Sequence, residues 1–154
     1  MNLEVMTLTG TKRALDSKAV DELRARVRGQ ILMPIDAEYD ATRRIWNAMV
    51  DKQPALIARC QGAADVGAAV RFAAEHELLV SVRGGGHNVA GTAICEGGLM
   101  IDLSPMKGIR VDPVNRTAWA QSGLLWQDFD HETQAYGLAT TGGVVGETSM
   151  FVKL

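Results

Sequence analysis

The sequence is poor in the features that define several large protein classes. Two cysteines, far apart and in no CxxC pattern, argue against a disulfide-stapled scaffold and a thiolate zinc site. Acidic and basic residues nearly balance, giving a net charge of −2, so no basic surplus favours a nucleic acid or an anionic membrane surface as partner. No apolar run approaches the roughly 18 residues that a bilayer crossing needs.

Aromatic residues are also scarce, at 5% of the chain. Trp46, Trp119 and Trp126 have no basic patch beside them, so we interpret them as core or hairpin packing and not as base-stacking platforms. The first five residues carry an early acid and no apolar signal core. With 47% hydrophobic and 22% charged residues, the sequence predicts a cytoplasmic globular protein.

The first third of the chain reads as a lead-in to the main domain. Residues 1–12 are polar and predict a loose segment. Residues 14–28 have apolar residues near helical spacing, and Asp40 is a suitable cap for a second helix with Ile45, Trp46 and Met49 on one face. We therefore predict a mainly helical lead-in at residues 1–53 and a separate domain at residues 54–154.

That domain opens with a strand, a helix and a strand. Residues 55–59 and 78–82 are short apolar runs, and residues 62–76 between them show a helical apolar face. This order predicts a βαβ unit with two buried parallel strands. Residues 99–103 and a hairpin around the turn at 112–115 follow, then a helix from Ser122 to about Tyr136. The fold class is therefore α+β, a βαβ subdomain followed by a partial antiparallel sheet with packed helices.

A triple-glycine loop follows the second strand of the βαβ unit. Ligands of such units bind outside the carboxyl ends of the strands. Consecutive glycines leave the backbone bare and can point successive N–H groups into one concavity, which favours phosphate oxygens. Arg83 could add positive charge or pair with a nearby carboxylate. The loop has neither the GxxxxGK[ST] pattern nor a GxGxxG sequence opening a helix.

His87 follows the glycines, and its role stays open on the residues alone. It could be a hydrogen-bonded loop residue, or a base whose ordinary pKa near 6.5 suits proton transfer. A metal-ligand role is disfavoured because His76 and His131 have no ligand spacing with it. The acidic group Asp128, Asp130 and Glu132 reads as a solvated helix face.

The stretches VRGGGHNVAG and GGLMIDLSPMKGIRVDP closely resemble berberine bridge enzyme-like FAD-linked oxidoreductases, of the vanillyl-alcohol oxidase (PCMH-type) group. The similarity extends through YDATRRIWNAMVDKQPALIARC and GLATTGGVV, and so covers roughly residues 34–146. The resemblance implies a PCMH-type FAD-binding fold, with FAD held covalently by His87 at the 8α-methyl carbon. The cofactor-binding residues that it implies are Arg83, Gly84, Gly85, Gly86, His87, Asn88, Gly142, Gly143, Val144 and Val145.

Some members of the family attach the flavin a second time through a cysteine. Val145 stands at that position here, so we expect a single link, with Cys60 and Cys95 as small buried residues.

Family members are about three times as long, which leads us to expect a truncated domain without the substrate domain. The resemblance implies hydride transfer from an alcohol or amine-type carbon of a small-molecule substrate to FAD. No residue is identified as catalytic and no metal is expected. A flavin-binding module without catalysis, or an inactive fragment, is the alternative.

Overall fold

The computed structural model of the chain describes residues 2–149, which contain eight strands and four helices. In chain order these are β1 (Leu3–Met6), β2 (Lys12–Leu15), α1 (Ser17–Arg26), β3 (Gln30–Leu32), α2 (Tyr39–Arg43), β4 (Leu56–Arg59), α3 (Ala63–Glu75), β5 (Val80–Arg83), β6 (Leu99–Asp102), β7 (Ile109–Asp112), β8 (Thr117–Ala120) and α4 (Trp126–Gln134). Helices packed on a mixed sheet confirm the predicted α+β class.

The core of the molecule is a four-stranded sheet in the order β3-β4-β6-β5. β3 is antiparallel to β4, while β4 and β5 both run parallel to β6. All four residues of β6 are buried, as are Leu56, Ile57 and Ala58 of β4. Strands covered on both faces read as continuous apolar runs, which is why these segments are nearly all apolar.

The predicted βαβ unit is present, but its two strands are not neighbours. β6 lies between β4 and β5 and pairs with both of them, in the registers Ile57↔Met100 and Val82↔Ile101. The expectation that residues 99–103 begin an antiparallel sheet is therefore wrong. An apolar strand buried on both faces carries no sequence mark of its direction, so only the tertiary pairing reveals it.

Helix α3 packs against the sheet through the predicted apolar face. Ala69, Phe72 and Ala73 are buried, whereas Val70 is half exposed. Asp65, in the first turn of α3, is buried. Its buried carboxylate accepts backbone N–H bonds from Arg28 (3.0 Å), Gly29 (3.2 Å) and Gln61 (2.9 Å), and so joins the end of α1 to the start of α3.

The prediction of a loose segment at residues 1–12 is wrong. β1 and β2 form an antiparallel hairpin whose ends pair Leu3 with Leu15, and Val5 and Leu15 are buried in the core. Between the strands, the Thr7 hydroxyl bonds to the backbone carbonyl of Thr11 at 3.0 Å. Short strands of this kind lack a clear polar alternation, so the burial of two apolar residues was not visible in the sequence.

The predicted second helix is also shorter than expected. α2 ends at Arg43, and Asp40 lies inside it, with Glu38 at the cap position. The Arg83 guanidinium donates to the carbonyls of Thr42 and Arg44, which draws the chain out of helical geometry. Ile45, Trp46 and Met49 therefore form no helical face, and Trp46 and Met49 are exposed.

The part after the sheet contains the predicted hairpin and helix. β7 and β8 pair antiparallel around a turn in which the Asp112 carboxylate accepts the N–H groups of Val114 and Asn115. α4 begins at Trp126 with Leu125 at the cap position, so the predicted start of this helix at Ser122 is wrong. Phe129 and Thr133 of α4 are buried.

The division at residues 53 and 54 remains a prediction. β3, which precedes that boundary, pairs with β4, which follows it. Among residues 2–149, none of the helices combines the length and apolar character that a membrane crossing requires.

Candidate functional site

The glycine loop begins where β5 ends, at the carboxyl end of the parallel strands. β5 ends at Arg83, beside Asp102 at the end of β6. The chain then leaves the sheet, and Gly86 has a φ of +76°, a conformation that L side chains rarely adopt. Glycine at this position lets the chain turn at the sheet edge, where ligands of parallel sheets bind.

In the part of the chain that the structure describes, the loop presents a row of main-chain N–H groups without an acceptor. Within residues 2–149, the N–H groups of Gly84, Gly85, Gly86 and His87 donate to no protein acceptor, although Gly84 and Gly86 are buried. Buried N–H groups are rarely left without a partner in folded proteins. Successive unpaired amides beside a cleft form an arrangement that suits an anionic ligand such as a diphosphate.

A cleft of about 410 Å³ opens at this loop. Its volume falls in the range of about 300–1,000 Å³ that is usual for small-molecule sites. The predicted residues Gly84, Gly86, His87 and Asn88 line it. Four further lining residues were missed by the sequence analysis, namely Val82, Thr92, Ala93 and Ser149.

His87 is half buried at this cleft, and its imidazole faces the indole of Trp46. The two ring centroids are 6.0 Å apart, and the ring planes are inclined by 29°. Among residues 2–149, no three His, Cys, Asp or Glu side chains gather as candidate metal ligands.

The Arg83 side chain is held at the sheet end and does not line the cleft. Its Nη2 is 2.9 Å from Asp102 Oδ2 and its Nε is 3.1 Å from Asp102 Oδ1, a bidentate pair. It also bonds to the carbonyl of Arg44 at 3.0 Å. Of the two roles left open for Arg83, pairing with a carboxylate is the arrangement that the structure shows. A contact between Arg83 and the cofactor remains a prediction.

Asn88 shapes the far side of the loop. Its Oδ1 accepts the N–H of Thr92 at 3.1 Å, and its backbone carbonyl accepts the N–H of Gly91 at 3.1 Å. These bonds close a turn that brings Thr92 and Ala93 to the cleft. Both residues follow the motif that drew attention to the loop, and nothing in their side chains marks them as site residues.

The second predicted cofactor segment lies apart from the cleft lining. A Cβ on Gly142 would lie 2.3 Å from the Trp126 ring, so this glycine lets the chain cross the indole closely. Gly143 is also packed on Trp126, while Val144 and Val145 are exposed. The segment leads instead to Ser149, which reaches the cleft: a Cβ on Gly85 would lie 2.8 Å from Ser149 Cβ. The roles of residues 142–145 toward a cofactor remain a prediction.

The chain is thus an α+β domain with a small-molecule cleft at the carboxyl end of its parallel strands. A family model described as FAD binding domain matches residues 54–150. The chain therefore belongs to this family, the PCMH-type FAD-binding domain of berberine bridge enzyme-like oxidoreductases, and the predicted resemblance and fold are confirmed.

Individual relatives agree with the family. The chain is 37% identical over 118 residues to (R)-6-hydroxynicotine oxidase of Paenarthrobacter nicotinovorans, which covers 77% of this chain and 26% of that protein. The crystal structure of 6-hydroxy-D-nicotine oxidase from Arthrobacter nicotinovorans superposes with a TM-score of 0.78 at 35% identity, over 80% of this chain and 27% of that one. A carbohydrate oxidase from Microdochium nivale gives a TM-score of 0.76 at 26% identity, over 85% of this chain and 28% of that one.

The chain spans about a quarter of the length of the relatives that it matches. It is homologous to FAD-dependent oxidases and has the FAD-binding domain of such enzymes.

Proposed function

We propose that the chain holds FAD in this cleft, with the diphosphate against the N–H groups of residues 84–87 and the flavin bonded to His87. One observation carries the proposal: within residues 2–149, the main-chain N–H groups of residues 84–87 have no acceptor, and the His87 side chain at the end of this row lines the same cleft. The glycines leave no side chain between the amides and the ligand, and a half-buried imidazole is available as a nucleophile at the end of the row.

The bond would join one imidazole nitrogen of His87 to the 8α carbon of the flavin. Forming it would take one proton from the His87 imidazole and one from the methyl group, and an electron acceptor such as dioxygen would have to take up the electron pair of the broken C–H bond. The chain's own part is to orient the imidazole and to hold the diphosphate. Bound FAD supplies hydride acceptance, and the protein supplies attachment, orientation and electrostatics.

For the complete enzyme we propose oxidation of an alcohol or amine-type carbon by hydride transfer to this FAD. The similarity to oxidases that carry FAD supports the reaction type. The substrate class is a proposal only, because the chain covers about a quarter of those relatives.

A non-catalytic role for the chain alone is the second candidate, and the composition of the cleft favours it. His87 is the one titratable side chain among the described residues that line the cleft. If His87 is bonded to flavin, these residues include no free general base. The chain would then supply attachment, and groups outside it would complete the catalytic site.

Denaturation separates covalent from reversible binding. The purified chain is saturated with FAD, unfolded in acid, and examined for flavin fluorescence on a denaturing gel. We expect fluorescence with the chain, none with His87→Ala, and an undiminished band with His131→Ala, which changes a histidine on α4. Flavin that washes away from the wild-type chain would contradict attachment, and failure to bind FAD would contradict the cofactor role.

Candidate substrates then distinguish the two functions. Loss of flavin absorbance when alcohols, amines or sugars are added to the flavin-loaded chain without oxygen indicates catalysis. Constant flavin absorbance while the flavin remains bound indicates that the chain binds flavin without catalysis. A cytoplasmic location is a further proposal, and fractionation of the source cells with an antibody to the chain tests it.

A further inference from the structure

Trp46 makes a contact that its position in the sequence does not explain. Its side chain is 67% exposed, so the indole contributes little to the core. Its backbone N–H nevertheless donates to the carbonyl of Gly86 at 3.2 Å, and its ring faces the imidazole of His87. Main chain and side chain of Trp46 therefore hold two successive residues of the glycine loop.

The neighbours of Trp46 hold the same loop further along. Residues 44–50, which we call the bracing segment, run beside it. Asn47 Nδ2 donates to the carbonyl of Val89 at 3.0 Å. A Cβ on Gly91 would lie 2.7 Å from Val50 Cγ2, so the Val50 side chain packs directly against the backbone of Gly91. The loop is thus contacted at Gly86, His87, Val89 and Gly91 by one continuous stretch of chain.

The bracing segment is itself fixed to the sheet. Arg83, bidentate with buried Asp102, donates to the carbonyl of Thr42, just before the segment, and to the carbonyl of Arg44, its first residue. A rigid sheet end therefore sets where the segment starts, and the segment sets where the loop lies.

We propose that Trp46 is a positioning residue for His87. The two ring centroids are 6.0 Å apart with the planes inclined by 29°, so the indole occupies space that the imidazole would need in order to turn toward it and away from the cleft. This proposal rests on the proposed function, because the orientation of His87 matters for the bond that His87 forms with the flavin. A rotating imidazole would spend less time in reactive geometry, and small misplacements of a reacting group cost large factors in rate.

The first test examines the ring directly in the full chain without flavin. Imidazole proton resonances are recorded for the wild-type chain and identified by their loss in His87→Gln. The indole ring current should displace the His87 resonances, and Trp46→Leu should abolish the displacement, while Trp46→Phe should keep part of it. Trp119→Leu, which removes another exposed tryptophan, should leave these resonances unchanged. Unaltered His87 resonances in Trp46→Leu would overturn the proposal.

The second test follows flavin attachment over time. We expect Trp46→Leu to slow the appearance of denaturation-resistant flavin by about tenfold or more, with Trp46→Phe close to the wild type. Reversible FAD affinity, compared between His87→Gln and the double variant with Trp46→Leu, should change much less, because Trp46 orients the imidazole and the amides hold the diphosphate. The positioning role of Trp46 is overturned if Trp46→Leu attaches flavin as fast as the wild type. It is also overturned if Trp46→Leu lowers only the affinity for FAD. A wild-type chain that attaches no flavin contradicts the proposed function instead, and the resonance test still decides whether Trp46 orients His87.

Discussion

Arg83 and Asp102 face each other across β5 and β6, at the point where both strands end. Both Nε and Nη2 of Arg83 bond to the Asp102 carboxylate, at 3.1 and 2.9 Å. Asp102 is completely buried, and Arg59 at the end of β4 approaches it from the other side, with 3.4 Å between Arg59 Nε and Asp102 Oδ2. Three parallel strands thus end in one row of alternating charge directly beneath the glycine loop.

Asp102→Ala tests how much this row of charges contributes to the stability of the fold. Removal of one partner leaves the Arg83 charge buried without compensation, which typically costs about 3–5 kcal/mol. Urea unfolding followed by tryptophan fluorescence should show a loss of that size. Glu4→Gln, which breaks an exposed ion pair with Lys12, should leave the midpoint nearly unchanged. Equal midpoints for the two variants would mean that the buried pair is not needed for stability.

Stability should fall in acid because of Asp65. Burial raises the pKa of this carboxyl, but backbone N–H bonds from Arg28, Gln61 and Gly29 outweigh it and leave the pKa below its ordinary value of 3.8. A carboxyl with a lowered pKa in the folded state stabilises the fold above its unfolded pKa. That stability is lost as the pH falls through the lower folded value.

Chemical denaturation of wild type and Asp65→Asn between neutral pH and pH 2 measures this contribution. The variant should lose about 1–3 kcal/mol at neutral pH, since an amide cannot accept all three N–H bonds. Its stability should also change less with acid. Glu4→Gln is the control, because it changes an exposed carboxyl whose ion pair with Lys12 lies at the surface. The same acid sensitivity in Asp65→Asn as in wild type would exclude Asp65 as the cause.

Gly86→Ala should separate backbone strain at the cleft from strain elsewhere. Gly86 and Gly137 both have positive φ, +76° and +65°, and neither has a neighbour close enough to clash severely with a Cβ. Alanine at either position should cost about 1–2 kcal/mol, from conformation alone. Only Gly86→Ala should also lower flavin retention, measured by absorbance after gel filtration. Equal retention by the two variants would place Gly86 outside the cofactor site.

The two thiols should be inert in the folded protein. Cys60 and Cys95 are buried and free, which confirms their predicted role as small buried residues. Burial raises the pKa of both thiols, to about 12 for Cys60, so little thiolate forms near neutral pH. A thiol reagent such as dithiobis-nitrobenzoate at pH 8 should label neither until urea is added. Rapid labelling without urea would contradict the buried positions.

The sequence predicted correctly those elements that are determined by residues close together along the chain. The helical spacing of Ala69 and Ala73, the turn at residues 112–115 and the glycine run before His87 each depend on neighbours in sequence, and each is found in the structure. The position of β6 depends on strands more than fifteen residues away, and its apolar composition is the same for any buried strand.

The site was predictable only as far as its motif extends. Ser149 reaches the cleft because the chain crosses Trp126 and returns, a route that no local pattern specifies. The sequence analysis interpreted Trp46 as a packing residue. Its actual position depends on the bonds from Arg83 at the end of α2, and these bonds join residues about forty positions apart, which no local pattern shows. The sequence could not decide between the two roles left open for Arg83 for the same reason, because its carboxylate partner Asp102 lies on another strand.

The placement of β6 has a consequence for how the molecule is made. A ribosome releases β4, α3 and β5 before the strand that must lie between them, so these earlier strands cannot complete their main-chain bonds with each other. β3 and β4 can pair earlier, but the pairing of β4 and β5 with β6 can be completed only after residue 102 has been synthesised. Such long-range closure is slow compared with helix formation. The loop that begins at residue 84 is therefore synthesised after its bracing segment but before Asp102, which holds Arg83 at the start of the loop.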